Sequence, residues 1–371
     1  MRATLASPPA PIYNSNGSSC IVLVTGVPAT TLRSNQTYGE NELIQRIARA
    51  IPSRIVGSGQ SGLRLGIGDD AAIVVRGRNS EWVLSCDTFI EGVHFLGDRH
   101  PPDSVGYKSL ARATGDLAAM GATPRFFLLT LALPARRTGA WLNGFLRGLG
   151  RAARALGFRL AGGDTTKASA VSISITVLGE IAPGRAVTRS GARPGDVIYV
   201  SGTLGRAELG LHLIRVRLDR ERQFRHLLRP HLYPQIRLEL GTWLARRRVA
   251  SSMMDLSDGL STDLARLCTA SGVGARLYAD RIPSIASSPS LAGPLARHHL
   301  DPLQLALHGG DDYELLFTVS PRRVKSLRNA PGFRRITAIG EITRRKRIIL
   351  LARDGSATRL TPRGWDPFRS K

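Results

Sequence analysis

The chain is poor in cysteine, aromatic residues and acidic residues, and each shortage argues against a class of protein. Its 371 residues include three cysteines, Cys20, Cys86 and Cys268, and no C-x-x-C pair. An odd, widely spaced set argues against a disulfide framework or a structural zinc site and predicts a cytoplasmic protein. No apolar run approaches the roughly 18–20 residues that span a bilayer, so we expect no membrane segment.

The 28 acidic residues are outnumbered by 52 lysines and arginines, which gives a net charge of +24. A chain this basic attracts polyanions such as nucleic acid, acidic lipid or nucleotide phosphates. However, aromatic residues make up only 6% of the chain, and no recognisable nucleic-acid-binding module is present. We interpret the charge as solvated, arginine-rich helix faces, and a basic nucleic-acid-binding protein stays open as an alternative.

The hydrophobic pattern predicts an α+β fold made of two mixed domains. Helical spacing begins at Gly39 and recurs at Pro101–Gly121 and Ala140–Leu156, whereas Phe126–Leu133 and Val171–Val177 are predicted to be strands. Phe126–Leu133 is expected to be buried.

A Gly-, Pro- and Arg-rich stretch at 182–194 predicts the boundary between an N-terminal domain (39–182) and a C-terminal domain (183–371). Residues 1–38 are rich in Ser, Thr, Pro and Asn and contain no acidic residue. We expect them to be a disordered extension or the result of a mis-assigned start codon.

Acidic residues cluster at Gly-rich strand ends, which is unusual in so basic a chain. Six such segments, beginning with Gly66-Ile67-Gly68-Asp69-Asp70, hold ten of the 28 acids: Asp69, Asp70, Asp87, Asp116, Asp164, Asp255, Asp258, Asp311, Asp312 and Glu314. Neighbouring carboxylates repel unless a cation neutralises them, and several aspartates without a His or Cys cluster favour Mg²⁺. Because Mg²⁺ usually pairs few carboxylates with substrate phosphates, this many suggests several ions on a polyphosphate.

Each segment also has a structural explanation, and these alternatives stay open. Ser257 or Asp258 could cap the helix that follows. Gly162-Gly163, expected in a loop between two strands, could form only a tight turn. Asp116, at the edge of a buried helix stripe, could pair with Arg112 one turn earlier. Since no Walker or protein-kinase motif set is present, a nucleotide would be held by metals, glycine-loop amides and arginines.

The chain resembles the thiamine-monophosphate kinase family, whose fold is shared with aminoimidazole-ribonucleotide synthetase, selenophosphate synthetase and a hydrogenase maturation factor. The resemblance runs from about residue 39 to the C-terminus. The matching segments are Gly66–Ala71, Asp87–Phe95, Tyr107–Pro124, Ala161–Thr166, Ala186–Gly191, Asp255–Gly259, Gly309–Leu315 and Gly364-Trp365. The sequences D-T-F-I-E-G-V-H-F and D-L-S-D-G set this family apart from its relatives in fold.

The resemblance implies direct in-line phosphorylation of thiamine monophosphate to thiamine diphosphate, with ATP as co-substrate and several Mg²⁺ ions. The implied Mg²⁺ ligands are Asp70, Ser85, Asp87, Asp116, Asp164, Asp255 and Asp258. The implied nucleotide contacts are Gly163, Asp164, Arg189 and Ser257, with Arg189 also stabilising the transferred charge. The implied thiamine phosphate contacts are His94, Asp311 and Trp365. No acid/base catalyst is implied, and a homodimer is expected to form through the N-terminal sheets.

Two positions depart from the family pattern. Cys86 stands where threonine is frequent, and any metal contact there would use the backbone because a thiol is a poor Mg²⁺ ligand. Asp311 stands where glutamate is frequent, so that contact would be longer or water-bridged. His94 and Trp365 could instead be core residues, whereas Asp69 is expected to order its turn or to reach only a metal-bound water. Another ATP-using enzyme of the same superfamily, phosphorylating a different small molecule or forming an acyl phosphate, is the alternative function.

Overall fold

The computed structural model describes residues 39–50, 62–285, 295 and 298–368. Cys20 and the extension predicted at 1–38 lie outside these residues. Cys86 and Cys268 are free thiols. No helix in the described ranges is long and apolar enough to cross a membrane.

The first half of the described chain forms a six-stranded mixed sheet. Its strands are β1 (Leu63–Leu65), β2 (Ala72–Arg76), β3 (Ser80–Ile90), β4 (Thr123–Leu133), β5 (Arg159–Lys167) and β6 (Ser172–Ile181). They lie in the order β1-β2-β3-β6-β4-β5, with β4 and β5 parallel and the other neighbours antiparallel. Helix α1 (Glu40–Ala50) precedes the sheet and has no buried residue. Helices α2 (Pro102–Met120) and α3 (Ala140–Leu156) pack against each other.

Helix α2 forms where the sequence predicts it. Proline occupies its first turn, and Gly121 ends it in the left-handed conformation at φ 75°. The predicted apolar stripe of Leu110, Ala113, Leu117 and Met120 is completely buried. The helix contacts the first sheet and also strand β8 of the second half (Ala250–Asp255), so nearly its whole circumference is enclosed.

The second half forms a seven-stranded sheet in the order β13-β12-β9-β11-β7-β10-β8. Besides β8, its strands are β7 (Val197–Ser201), β9 (Gly274–Tyr278), β10 (Leu315–Val319), β11 (Ile336–Thr343), β12 (Ile348–Leu351) and β13 (Ala357–Arg359). Its helices are α4 (Arg206–Arg215), α5 (Arg225–Leu232), α6 (Leu238–Arg247), α7 (Leu260–Ser271) and α8 (Pro302–His308). Helices and mixed sheets in both halves confirm the predicted α+β class.

Strand β5 differs from the prediction. Gly162-Gly163 and the residues after them belong to this strand, and its nine residues are all exposed. The loop prediction was wrong because an exposed edge strand lacks the apolar alternation by which strands are recognised. A Cβ at Gly163 would clash with the Leu129 carbonyl, so the glycine lets β5 lie close against β4. Strand β4 is also only half-buried, since Phe126 and Leu128 are 37% and 39% exposed.

One apolar cluster runs from the first sheet through α2 to the second sheet. It joins Leu117 and Ile175 to Met253 of β8 and Phe317 of β10. This packing brings Asp255, the last residue of β8, against α2. The domain boundary expected at 182–194 stays a prediction.

Candidate active site

A single cavity of about 1550 Å³ gathers the predicted site residues. It lies among α1, the ends of β3 and β8, helix α2 and the loop before β10. The predicted residues that line it are Asp70, Ser85, Asp87, His94, Asp116, Arg189, Asp255, Ser257, Asp258, Asp311 and Trp365. Gly163 and Asp164 are the two predicted site residues that do not line it.

Three carboxylates converge at the bottom of this cavity. One oxygen from each of Asp70, Asp116 and Asp255 lies within 4.8 Å of the other two. Gly115 provides the room, since a Cβ there would collide with the Asp255 carboxylate. The Asp70 Oδ2 atom is buried and has no hydrogen-bond partner within the described chain. Converging carboxylates with an unpartnered oxygen have the chemistry of a divalent-cation site.

The pKa values of all three carboxylates are raised, mainly by burial. Burial, and then the charge of Asp87, raises the pKa of Asp116 well above its usual range. Burial and the neighbouring Asp116 do the same to the pKa of Asp255. Burial also raises the pKa of Asp70, although the Arg189 guanidinium opposes the shift. Positive charge placed among these groups would therefore be strongly stabilised.

The turn that opens the site is ordered by Asp69 and Arg189. Asp69 accepts hydrogen bonds from its neighbour's backbone at 3.0 Å and from the Arg189 backbone N–H at 3.1 and 3.2 Å. The Arg189 side chain donates to Asp70 Oδ1 through Nη2 at 2.6 Å and Nε at 3.0 Å. Asp69 thus holds the turn, as expected, while Asp70 carries its carboxylate into the cavity.

Helix α2 presents three charged residues to the site at a spacing of four. Lys108, Arg112 and Asp116 lie on one face because residues four apart are neighbours on a helix. Asp116 accepts a hydrogen bond from the Ser85 hydroxyl. Arg112 bonds to Asp87 instead, through Nε at 2.9 Å and Nη2 at 3.3 Å. The proposed Arg112–Asp116 pair is therefore wrong, because the guanidinium reaches across to strand β3.

Lys108 is paired with Asp311. The residue is 1% exposed, and its Nζ atom lies 2.7 Å from Asp311 Oδ2 and 3.1 Å from His231 Nδ1. The Nε2 atoms of His231 and His100 are 3.0 Å apart. Against the effect of burial, the Lys108 charge lowers the pKa of Asp311. Burial, and then Lys108, lowers the pKa of His100 to about 4, so that ring is neutral near pH 7.

The loop that carries Asp311 is strained and held by backbone bonds. Asp311 and Tyr313 both adopt positive φ, at 66° and 50°. Their N–H groups donate to the carbonyls of Ser257 and Leu256, both at 2.8 Å. The Tyr313 hydroxyl donates to Asp311 Oδ1 at 2.8 Å. These bonds stabilise a conformation that otherwise costs of order 1–3 kcal/mol per residue.

The other acids of that loop are structural. Asp312 accepts the backbone N–H groups of Gly205 and Ala207 at 2.6 and 3.2 Å. Glu314 accepts two bonds from the Arg237 guanidinium, both at 2.6 Å. Neither lines the cavity. Only alternate residues of the Asp311–Glu314 stretch face the site.

The D-L-S-D-G loop is also more specialised than the sequence suggests. Helix α7 begins after Gly259 with no side-chain cap, so neither Ser257 nor Asp258 caps it. Asp263, which the sequence reasoning missed, accepts the N–H groups of Asp258 and Gly259 at 3.1 and 3.0 Å. Asp258 pairs with the Arg266 guanidinium and faces the cavity.

An aromatic wall lies beside these acids. The rings of His94 and Trp365 are 6.5 Å apart, and the Trp365 backbone N–H donates to the Asp258 carbonyl at 3.0 Å. His94 Nδ1 accepts from the Ile90 backbone at 3.1 Å. Burial, and then the Arg112 charge, lowers the pKa of His94 to about 4. A neutral histidine beside a tryptophan can receive an organic cation without repelling it.

Gly163 and Asp164 lie on the outer edge of the first sheet. Asp164 pairs with Thr130, which pairs with Ser174, which pairs with Thr88 of β3. Three strand spacings of ~4.8 Å separate Asp164 from β3 by roughly 14 Å. Its side chain is exposed, outside the cavity.

Known proteins resemble this chain in sequence. Two family models match the chain. The N-terminal domain of the AIR synthase related proteins matches residues 68–181, and their C-terminal domain matches residues 193–352. The thiamine-monophosphate kinase of Escherichia coli K12 is 38% identical over 320 residues, covering 84% of this chain and 94% of the relative. The Bacillus subtilis kinase is 31% identical over 316 residues, with 83% and 95% covered. The chain belongs to the thiamine-monophosphate kinase family.

Solved structures agree with this membership. The structure of AaThiL complexed with AMPPCP and TMP has a TM-score of 0.75 and 31% identity, covering 88% of this chain and 96% of that one. The thiamine-monophosphate kinase of Stenotrophomonas maltophilia has a TM-score of 0.67 at 34% identity, covering 87% and 99%. The chain is thus an enzyme of the thiamine-phosphate kinase type, as the sequence resemblance indicated.

Proposed function

We propose that this enzyme transfers the γ-phosphate of ATP to thiamine monophosphate and releases ADP and thiamine diphosphate. The observation that carries the proposal is the convergence of the Asp70, Asp116 and Asp255 carboxylates in a cavity that also has an aromatic wall. AaThiL, a structural relative, has been solved with AMPPCP and TMP bound. The two features of the cavity suit the two parts of such a ligand pair, polyphosphate and organic cation.

The acidic part of the cavity fits Mg²⁺. The unpartnered Asp70 oxygen and the raised pKa values of Asp116 and Asp255 both favour a cation there. The residues proposed to hold several ions are Asp70, Ser85, Asp87, Asp116, Asp164, Asp255 and Asp258. Bound Mg²⁺ would neutralise the phosphate charges that must approach each other.

The aromatic part of the cavity fits the thiazolium ring. Trp365 offers an aromatic face to a cation, and His94, neutral at pH 7, does not repel it. The Asp311 carboxylate, kept ionised by Lys108, adds a negative charge on the same side. These residues are proposed to bind and orient the acceptor.

The transfer needs no general base in this proposal. The acceptor phosphate has a second pKa of ~6, so at pH 7 its oxygen is already largely ionised. That oxygen forms a bond to the γ-phosphorus in line with the breaking bond to the β–γ bridging oxygen, and ADP leaves with that electron pair. Arg189 is proposed to stabilise the charge on the transferred group and, with Ser257 and Gly163, to contact the nucleotide.

A homodimer is the second part of the proposal. Strand β5 is an exposed sheet edge, and the neighbouring surface carries Phe126, Leu128 and Leu160, each more than a third exposed. An open edge with apolar neighbours is the kind of surface that a second copy covers. Because Asp164 lies outside its own cavity, we propose that it and Gly163 serve the site only through such pairing.

The activity is tested by incubating the enzyme with [γ-³²P]ATP, MgCl₂ and thiamine monophosphate. We expect labelled thiamine diphosphate to form, and none to form when thiamine monophosphate is omitted. Failure of a correctly folded enzyme to transfer label to this acceptor, while it labels another small molecule or a carboxylate, would favour the alternative function in the same superfamily.

The dimer is tested by sedimentation equilibrium with Leu128→Glu and the control Leu146→Glu. Leu146 is similarly exposed, at 46%, but lies on helix α3. We expect Leu128→Glu to be monomeric and inactive, and Leu146→Glu to resemble the wild type. A fully active wild-type monomer would contradict this part of the proposal.

A further inference from the structure

Arg112 lies between the two parts of the cavity. It bonds to Asp87 on the acidic side, and its guanidinium carbon lies 5.3 Å from the centre of the Phe89 ring. The Phe89 ring is 5.7 Å from that of His94, and the His94 ring is 6.5 Å from that of Trp365. The guanidinium therefore stands where the acidic wall meets the aromatic wall.

The Arg112 bonds to Asp87 leave donor capacity. They use Nε and Nη2, and Nη1 makes no side-chain hydrogen bond among the described residues. The side chain lines the cavity and is 15% exposed. A guanidinium has five N–H donors in a planar fork, the shape that binds phosphate through two parallel bonds.

The other cationic side chains in or beside the cavity are engaged differently. Arg189 bonds to Asp70, Arg266 is shared among Asp258, Asp263 and Glu40, and Arg215 pairs with Glu208 at 3.8 Å. Lys108 does not line the cavity and is buried against Asp311. Among these, Arg112 is the cation that adjoins both the carboxylates and the aromatic wall.

We propose that Arg112 binds the phosphate of the acceptor and so positions it for transfer. This rests on the proposed function, in which the cationic ring lies against the aromatic wall. The ring and the phosphate of thiamine monophosphate are joined by a two-carbon linker, so a ring placed there brings its phosphate to the junction where Arg112 stands. Mg²⁺ held at Asp87 would neutralise the carboxylate charge in place of the Arg112 guanidinium. The guanidinium would then be able to bind the phosphate.

The test compares Arg112→Met with wild type in ligand affinity as well as in turnover. Binding of thiamine monophosphate and of thiamine, which lacks the phosphate, is measured by titration calorimetry with MgCl₂ and AMPPCP present. We expect the affinity for thiamine monophosphate to fall about 10- to 100-fold, as for one charge-assisted pair, with thiamine affinity unchanged. In turnover, the KM for thiamine monophosphate should rise while the KM for ATP stays the same.

Arg151→Met is the matched control. Arg151 also combines an ion pair, to Asp103 at 3.2 Å, with an aromatic contact, over Tyr233 at 4.9 Å, but it lies outside the cavity. Arg112→Lys keeps the positive charge without the planar fork of donors, so its affinity for thiamine monophosphate should lie between those of Arg112→Met and the wild type.

Two results would overturn the inference. One is an equal loss of affinity for thiamine and thiamine monophosphate. The other is an unchanged affinity for thiamine monophosphate with a lower Mg²⁺ requirement, which would make Arg112 only a counter-ion of Asp87. If the wild type does not phosphorylate thiamine monophosphate at all, the proposed function fails, and that result is independent of the variant.

Discussion

Replacing Asp255 by Asn should stabilise the metal-free protein while abolishing its activity. Two oxygens 4.8 Å apart, each bearing a unit charge, repel by about 3 kcal/mol at an effective dielectric constant of 20. Asp255 faces two such neighbours. The repulsion energy at Asp255 cannot exceed the cost of protonating the carboxylate, which is about 5 kcal/mol at pH 7.5 for an ordinary aspartate, because a protonated group no longer repels its neighbours. Allowing for the nearby Arg189, we expect a net gain of about 2–4 kcal/mol.

Thermal unfolding in EDTA measures this gain. A folded unit covering residues 39–371 has an unfolding entropy of about 0.7 kcal/mol/K, so Tm should rise by about 3–6 °C. Addition of MgCl₂ should raise the wild-type Tm, since a ligand that binds only the folded state stabilises it. The same addition should have much less effect on Asp255→Asn, whose kinase activity should be lost at every pH.

A control variant separates the triad from a general charge effect. Asp98→Asn also removes one negative charge, but the Asp98 side chain is 78% exposed and makes only a 3.9 Å pair with Arg99. It should leave Tm, the Mg²⁺ response and the activity as in wild type. The reasoning would be refuted if Asp255→Asn were no more stable than wild type in EDTA, or if it kept the full Mg²⁺ response.

Three further predictions concern groups around the site. First, the neutral, buried His100 should make the protein sensitive to acid, because the unfolded state binds more protons than the folded state between pH 6.5 and 4. The free energy of unfolding should fall by about 3 kcal/mol as the pH drops through that range. Urea titrations of His100→Asn should show a smaller fall over the same range. Second, Lys108→Met should cost about 1–3 kcal/mol by leaving the partly exposed Asp311 carboxylate without its cation, and Lys108→Met/Asp311→Asn should recover stability in urea but not activity. Third, burial raises the pKa of Cys268 to about 12, so mass spectrometry after iodoacetamide treatment should find this thiol unmodified in the folded enzyme. The exposed Cys86, which lines the cavity, should be alkylated, and Mg²⁺, AMPPCP and thiamine monophosphate together should protect it. Equal labelling of both thiols would contradict this prediction.

The fold was largely predictable because its main elements carry clear local signals. Helix α2 has a proline at one end, a glycine at the other and a continuous apolar stripe, and these alone determine its limits. Strand β5 lacks any such signal: its nine residues are all exposed, and Gly163 serves its close contact with β4. Helix α5 contains Pro230, which argues against a helix in sequence, and was not predicted.

The site was predictable where acids stand at Gly-rich strand ends, and less so where a residue acts through a distant partner. Asp70 and Asp255 are conspicuous in a basic chain, and both line the cavity. Lys108 meets Asp311 across more than 200 positions, and no local pattern reveals that pair. The four-residue spacing of Lys108, Arg112 and Asp116, in a helix whose other residues are mostly small or apolar, was the available signal, and of the three only Asp116 was assigned to the site.

The buried chain from Lys108 to His100 has a hydrogen-bond donor at each end. An ammonium only donates, so His231 accepts at Nδ1 and carries its own proton on Nε2. That proton points at His100 Nε2, which would then have to accept. The Leu96 backbone N–H, however, donates to His100 Nδ1 at 3.0 Å, and a neutral imidazole accepts at only one nitrogen, so a charged Lys108 and the Leu96 bond favour opposite tautomers of His100. Loss of the Lys108 charge would leave the His100 tautomer to the Leu96 bond. The ring nitrogen resonances of His100, a residue that does not line the cavity, therefore report whether the ammonium facing Asp311 is charged.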